Sequence, residues 1–107
     1  MKLMTKAIEK QIPALNSTEI VPTAEKVAIV KFFNPSGAGT WYAVEGERVG
    51  EDFEFFGFVE SPLGPDCSEW GYFRLSELES VRGPFGLGIE RDIHWTPAPI
   101  PANALNG

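Results

Sequence analysis

The residue types best suited to acid–base or metal chemistry stand together near the C-terminal end, as Glu90, Asp92 and His94 at every second position. Carboxylates and an imidazole ligate metals and carry protons. On a strand the three share one face, but residues two apart are separated by about 6.5–7 Å. Three groups in such a row do not converge on one ion without a donor from another element. The same pattern describes a solvated strand face on which each charge has a cross-strand partner. No catalytic residue and no metal ligand is therefore assigned, and no cofactor is expected.

Other chemistries fare no better. Arg82-Gly-Pro-Phe-Gly-Leu-Gly88 is glycine-rich, but its glycines stand at 83, 86 and 88 rather than in G-x-G-x-x-G order, and no Lys-Ser/Thr pair follows. It also leads from a helix into a strand, the reverse of the order that seats a phosphate at a helix N-terminus. Arg82 and Arg91 remain as candidate anion or carboxylate clamps; ion pairs with nearby acids are the plainer use. Cys67 is the single cysteine and lies between Asp66 and Ser68. Adjacent acid raises a thiol pKa, which argues against an activated nucleophile. The single histidine has no paired nucleophile, so a Ser/His/Asp set is unsupported.

The elements that would position these side chains follow from spacing. Thr5 can cap a helix over Lys6–Gln11, with Ile8, Ile12 and Leu15 on one face and Pro13 ending it. Asn16–Glu25 reads as a connector. Lys26–Phe33 reads as a central strand covered on both faces. Asn34–Gly39 is a turn, Thr40–Glu45 the return strand, and Gly46–Asp52 a polar turn. Phe53–Glu60 is a strand with Phe53, Phe55, Gly57 and Val59 on one face and Glu54, Phe56, Phe58 and Glu60 on the other. Ser61–Ser68 is a loop and Glu69–Arg74 a fourth strand. Ser76-Glu-Leu-Glu79 matches a capping box with Ser76 at the N-cap, opening a helix to about Val81. Ile89–Trp95 completes the strands, and Thr96–Gly107, with Pro97, Pro99 and Pro101, reads as an extended or loosely ordered tail. Short turns between strands imply antiparallel pairing. The expectation is α+β: an antiparallel sheet of four to five strands with an N-terminal helix and a short late helix, one domain over residues 1–96 and a Pro-rich tail over 97–107.

At 107 residues, such a chain buries about 60–70% of its unfolded surface, enough for one core. An apolar fraction of 43% excludes a disordered composition. One cysteine excludes a disulfide within the chain, no run reaches the ~20 apolar residues of a membrane span, and Met1–Lys10 has no apolar signal core. A cytoplasmic setting without membrane contact is expected.

Charge is more telling by position than in total. Residues 1–44 hold five Lys and three Glu, whereas residues 45–69 hold Glu45, Glu47, Glu51, Asp52, Glu54, Glu60, Asp66 and Glu69 against Arg48 alone. A net charge of −6 with this block argues against direct nucleic-acid binding, which relies on neutralising phosphates. The block is either a solvated surface or a phosphate-like surface for a basic channel on another protein. Trp41, Tyr42, Phe56, Phe58, Trp70, Tyr72, Phe73 and Trp95 are many for a small sheet. Those on its second face form either core and dimer contact or an aromatic surface for a partner.

Several segments together carry a family likeness: Met1–Thr5, Val30–Phe33, Thr40–Ala43, Phe55–Gly57, Gly71–Phe73, and above all Leu75–Leu87 followed by Ile89–Asp92 and His94-Trp95. The pattern resembles a family of small bacterial proteins catalogued as domain of unknown function 2958, and covers the chain to about Pro97. The resemblance implies a passenger of plasmids, phages and integrative elements, near antirestriction and DNA-processing genes. It brings no catalytic residues.

The leading expectation is a non-enzymatic binding protein that inhibits a host defence protein or nuclease complex. Glu45, Glu47, Glu51, Asp52, Glu54, Phe56, Phe58, Trp70, Arg82 and Arg91 are its candidate contact residues. A nucleic-acid-processing enzyme or accessory using Glu90, Asp92, His94 and Arg91 is the second expectation, and a homodimeric scaffold module the third.

Overall fold

In the computed structural model, which describes residues 2–61 and 63–105, the chain runs through ten regular elements. They are helix α1 (Lys6–Gln11), strands β1 (Val27–Ala28), β2 (Val30–Phe33), β3 (Thr40–Val49), β4 (Asp52–Glu60) and β5 (Glu69–Arg74), helix α2 (Leu75–Ser80), strands β6 (Glu90–Arg91) and β7 (Ala98–Pro99), and helix α3 (Ala102–Leu105). One antiparallel sheet has the order β5-β4-β3-β2-β6, and a second pairs β1 with β7. The class is α+β with a mostly sheet core, as the spacing predicts.

Alternation in β4 decides where that core sits. Phe53 and Phe55 are buried on one face with Phe32, Ala43 and Phe73 from neighbouring strands. Leu3, Met4, Ile12, Leu78 and Ile89 close over them. Phe55 touches Phe32, Phe53 and Phe73 at centroid distances of 5.0–5.5 Å. Full burial of each such ring contributes about 1.5–3 kcal/mol. The helices covering this face have six residues each and are too short to persist alone. Thr5 caps α1 as expected, accepting from the Ile8 amide at 3.2 Å.

A second cluster lies on the opposite face: Ala28, Tyr42, Val44, Phe58, Ile100 and Ala104, with Trp70, Trp95 and Leu105 against it. Trp95 Nε1–H donates to the Ala28 carbonyl at 2.9 Å and its ring meets Tyr42 edge-on at 5.7 Å. The segment expected as an extended or loosely ordered tail is extended at β7, where it pairs with β1, and it buries Ile100 and Ala104.

Four further expectations are corrected. The strand predicted over Lys26–Phe33 bends at Ile29 and divides into β1 and β2, which join different sheets. The strand predicted to stop at Glu45 continues to Val49, and the turn is only Gly50-Glu51, with Gly50 at φ 63. Gly46 marks a close approach: a Cβ there would lie 2.6 Å from the Phe53 ring. The capping box sits two residues earlier than expected. Arg74 is the N-cap and its amide donates to the Glu77 carboxylate at 3.1 Å. Finally, Ile89–Trp95 is a strand only at Glu90–Arg91, because Asp92 Oδ1 accepts from the His94 amide at 2.9 Å and turns the chain.

Candidate partner-binding face

The register of β3, β4 and β5 lays the second sheet face out in rows. Tyr42, Phe58 and Trp70 form one row, Glu45, Phe56 and Tyr72 the next, and Glu47, Glu54 and Arg74 the third. The second row depends on a bulge: Ala43 pairs with Gly57 and Glu45 with Phe56, so Val44 is an extra residue. Val44 is buried with Tyr42 and Phe58, and Glu45 projects toward the same side.

The aromatic side chains make one continuous series. Phe58 and Trp70 are 5.6 Å apart, Trp70 and Phe56 5.9 Å, and Phe56 and Tyr72 5.0 Å. Exposure rises along it. Phe58 is buried, Trp70 and Phe56 are half-buried, and Tyr72 is 56% exposed. The series opens toward solvent at the end nearest the acids.

Those acids are not one patch. Glu47, Glu51, Asp52 and Glu54 gather at the β3–β4 hairpin end, whereas Glu60, Asp66 and Glu69 lie toward the opposite end. Glu54 and Glu60, six residues apart on one strand, are separated by about 20 Å. Glu45 is 2% exposed, and its carboxylate accepts from the amides of Asn16 at 2.7 Å and Thr18 at 3.0 Å, and from the Thr18 hydroxyl. It ties the connector to the sheet and is not on an outer surface, contrary to its expected contact role. Asp52 accepts from the Ser76 hydroxyl at 2.6 Å, the Ser76 amide at 3.0 Å and the Phe53 amide at 2.8 Å. It caps the start of α2 from outside the helix. The Ser76 hydroxyl first, then the Phe53 amide, hold its carboxyl below the usual carboxylate range. Glu47 and Glu54 stand directly opposite each other, a like-charge pair that disfavours the sheet. Arg74 offsets it, 3.7 Å from Glu54 and 4.0 Å from Asp52. Glu51 is exposed at the turn.

The two arginines serve other ends. Arg82 donates to the carbonyls of Glu79 at 2.6 Å and Val81 at 2.7 Å, so it caps the C-terminus of α2, and it forms no ion pair among the described residues. Arg91 donates to the carbonyls of Lys2 and Leu3 and fixes the N-terminal segment. Both lie away from the aromatic series. A cavity of about 400 Å³ adjoins Arg82, lined also by Leu3, Leu78, Glu79, Leu87 and Glu90.

Glu90, Asp92 and His94 do not share a strand face. Glu90 is paired opposite Phe33, Asp92 lies in the turn 3.7 Å from Lys31, and His94 is exposed beyond it. No group of three or more His, Cys, Asp or Glu able to hold a metal occurs among the described residues. Cys67 is exposed and free.

Sequence reasoning passed over Asn16, Glu19 and Lys26, which line the open end of the aromatic series with Tyr72. Asn16 and Glu19 belong to a connector without periodicity, and Lys26 stands where the spacing predicts the start of a strand. It also passed over Phe85, fully exposed at φ 61, a conformation costly for a bulky side chain.

The sequence model of the family described as "Protein of unknown function (DUF2958)" matches residues 3–102. No curated protein and no solved structure matches the chain. Among the described residues, no helix is long and apolar enough to cross a membrane.

Proposed function

The chain belongs to the family of proteins of unknown function DUF2958, and from this premise we propose that it is a non-enzymatic acidic binding protein of a mobile genetic element. It acts in the cytoplasm, inhibiting a host nucleic-acid-targeting defence complex, of the anti-CRISPR or antirestriction type, by protein–protein contact. The mobile-element setting is what the family resemblance implies. One observation carries the contact surface: the aromatic series Phe58–Trp70–Phe56–Tyr72 opens beside the row of Glu47 and Glu54, which Arg74 shares, with Glu51 beyond it at the turn. Half-buried aromatics supply contact area at small entropic cost, and acids around them steer a basic surface into register. Occupying a basic channel in this way displaces its nucleic acid without any reaction.

The test is capture of partners by the tagged chain from a bacterial lysate containing CRISPR and restriction complexes, at low and high salt. Capture of a nuclease-associated partner is expected to weaken with salt. It should disappear in a Glu47→Lys/Glu51→Lys/Glu54→Lys variant whose circular dichroism is unchanged. Asp52 is left intact because it caps α2. Full capture by the folded triple variant would remove this mechanism, and co-purified DNA or RNA would overturn the reading of the charge.

One observation favours self-association as a second reading. β5 is an edge strand with β4 as its neighbour, and Gly71 at its middle has open space where a Cβ would point. A second copy pairing along β5 extends the sheet. Sedimentation showing only monomer at high concentration counts against it.

A further inference from the structure

Beside the aromatic series lies a pocket of about 210 Å³, lined by Asn16, Glu19, Lys26, Glu45, Phe56 and Tyr72. We infer that it is a binding site for one cationic side chain, a guanidinium or ammonium group presented by a basic protein partner. The inference rests on the contact surface proposed above and identifies its anchor.

Size sets the first limit. The volume is below the roughly 300–1,000 Å³ of pockets that enclose whole small molecules, and suits one long side chain. The walls set the second. Phe56 and Tyr72 meet at 56° with centroids 5.0 Å apart, forming an aromatic corner. Ring faces carry the negative end of the aromatic quadrupole and attract cations. The Tyr72 hydroxyl donates to Asn16 Oδ1 at 3.2 Å, which holds the ring in place before any ligand arrives.

Charge sets the third limit. Buried Glu45 is part of the lining, and its carboxylate is held by three donors from the connector. Lys26 is 5% exposed, and its ammonium donates to the carbonyl and hydroxyl of Thr18. That same hydroxyl donates to Glu45, so Lys26 and Glu45 balance each other through Thr18. Glu19 is exposed at the rim, with no hydrogen bond or ion pair among the described residues. The lining thus carries one negative charge in excess. With Lys26 held by Thr18 and balanced by Glu45, the groups left to meet a ligand are Glu19 and two aromatic rings, a set that favours a cation over an anion. Guanidinium adds the ability to stack on a ring while donating to carboxylates.

The test is a titration of the ¹⁵N-labelled chain with N-acetyl-arginine methylamide, and with N-acetyl-norleucine methylamide as the neutral analogue. Saturable shifts at Asn16, Phe56 and Tyr72 are expected with the arginine compound only, with millimolar affinity. Glu19→Gln and Tyr72→Leu should each weaken binding by about three- to tenfold, while Tyr72→Phe, which keeps the ring and loses only its bond to Asn16, should weaken it less than Tyr72→Leu. Equal shifts with the norleucine compound, shifts as large at Glu51 and Glu60 as at Tyr72, or no shifts at all would each overturn the inference. Lysate capture separates it from the reading beneath it. Capture persisting in a Glu19→Gln/Tyr72→Leu variant overturns the pocket as anchor and leaves the surface. Amide binding persisting where reversal of Glu47, Glu51 and Glu54 has left capture intact upholds the pocket and rejects the acidic surface.

Discussion

Replacing Glu45 by Ala should damage stability out of proportion to one strand residue. The carboxylate is 2% exposed and accepts three hydrogen bonds, two from backbone amides and one from the Thr18 hydroxyl. Hydrogen bonds to a charged group are worth about 1.5–3 kcal/mol each. Asn16 is exposed and Thr18 half-buried, so water recovers part of what is lost. The buried Lys26 ammonium, linked to Glu45 through the Thr18 hydroxyl and not by a direct ion pair, is also left less well balanced. Three such bonds, less what water recovers, give about 3–5 kcal/mol for Glu45→Ala. Against a total of about 5–15 kcal/mol this is a large share. At about 4 °C or more per kcal/mol, the melting temperature should fall by at least about 12 °C. Glu45→Gln keeps an acceptor and should lose about 1–2 kcal/mol, and Thr18→Val, which removes one hydroxyl, about 1 kcal/mol. Urea unfolding of the three variants measures the order, and hydrogen exchange at the Asn16 and Thr18 amides locates the change. A loss below about 1 kcal/mol for Glu45→Ala, with those amides still protected, would refute the idea that this carboxylate holds the connector.

Two further outcomes can be checked on the folded chain. Gly57→Ala places a Cβ 1.8 Å from the Tyr42 carbonyl oxygen and 3.0 Å from the Ala43 Cα, so β3 and β4 must separate; a loss of about 3 kcal/mol is expected in urea unfolding, and a fully stable variant would show that the bulge adapts. The Asp52 carboxyl is held below its usual range in the folded state. Its contribution is therefore complete above the unfolded carboxylate value of about 3.9 and is lost as pH falls through the folded value. Thermal unfolding between about pH 5 and pH 2 should be less pH-dependent in Asp52→Asn than in wild type, and identical slopes would count against the cap.

Where the sequence was informative, a single periodicity or cap decided the structure. Phe53–Glu60 alternates without interruption, so both its faces and their contents were legible. Thr5 had a free helix start to cap. Most of the failures share a cause, a residue whose partner lies far along the chain; the last strand is the exception, ended locally where Asp92 accepts from the His94 amide. Gly46 looks like a turn residue until Phe53 is seen beneath it. Ser76 looks like an N-cap, but its hydroxyl is taken by Asp52 on another strand. The bulge at Val44 places Glu45 inside and leaves the local alternation looking ordinary. The candidate face was legible in part. Phe56, Phe58 and Trp70 lie together as expected, whereas Glu45, Arg82 and Arg91 are engaged elsewhere. Asn16 and Glu19 reach the pocket from a connector that no periodicity describes, and Lys26 from the residue before β1.

The pairing of β1 with β7 joins residue 27 to residue 99, and Ile100 and Ala104 complete the cluster around Tyr42, Val44 and Phe58. A ribosome makes those closing residues after the strands they cover. A chain still being synthesised can bury Phe53 and Phe55 on one side of its sheet while the other side stays wet, and contacts so distant in sequence form slowly. In refolding followed by pulsed hydrogen exchange, protection at Tyr42 and Val44 should trail that at Phe55 and Phe73; simultaneous protection would mean that the two sides close together. Until the C-terminal segment docks, the newborn protein carries a sticky flank, and its time of greatest hazard is the interval between the emergence of β5 and the arrival of Ile100.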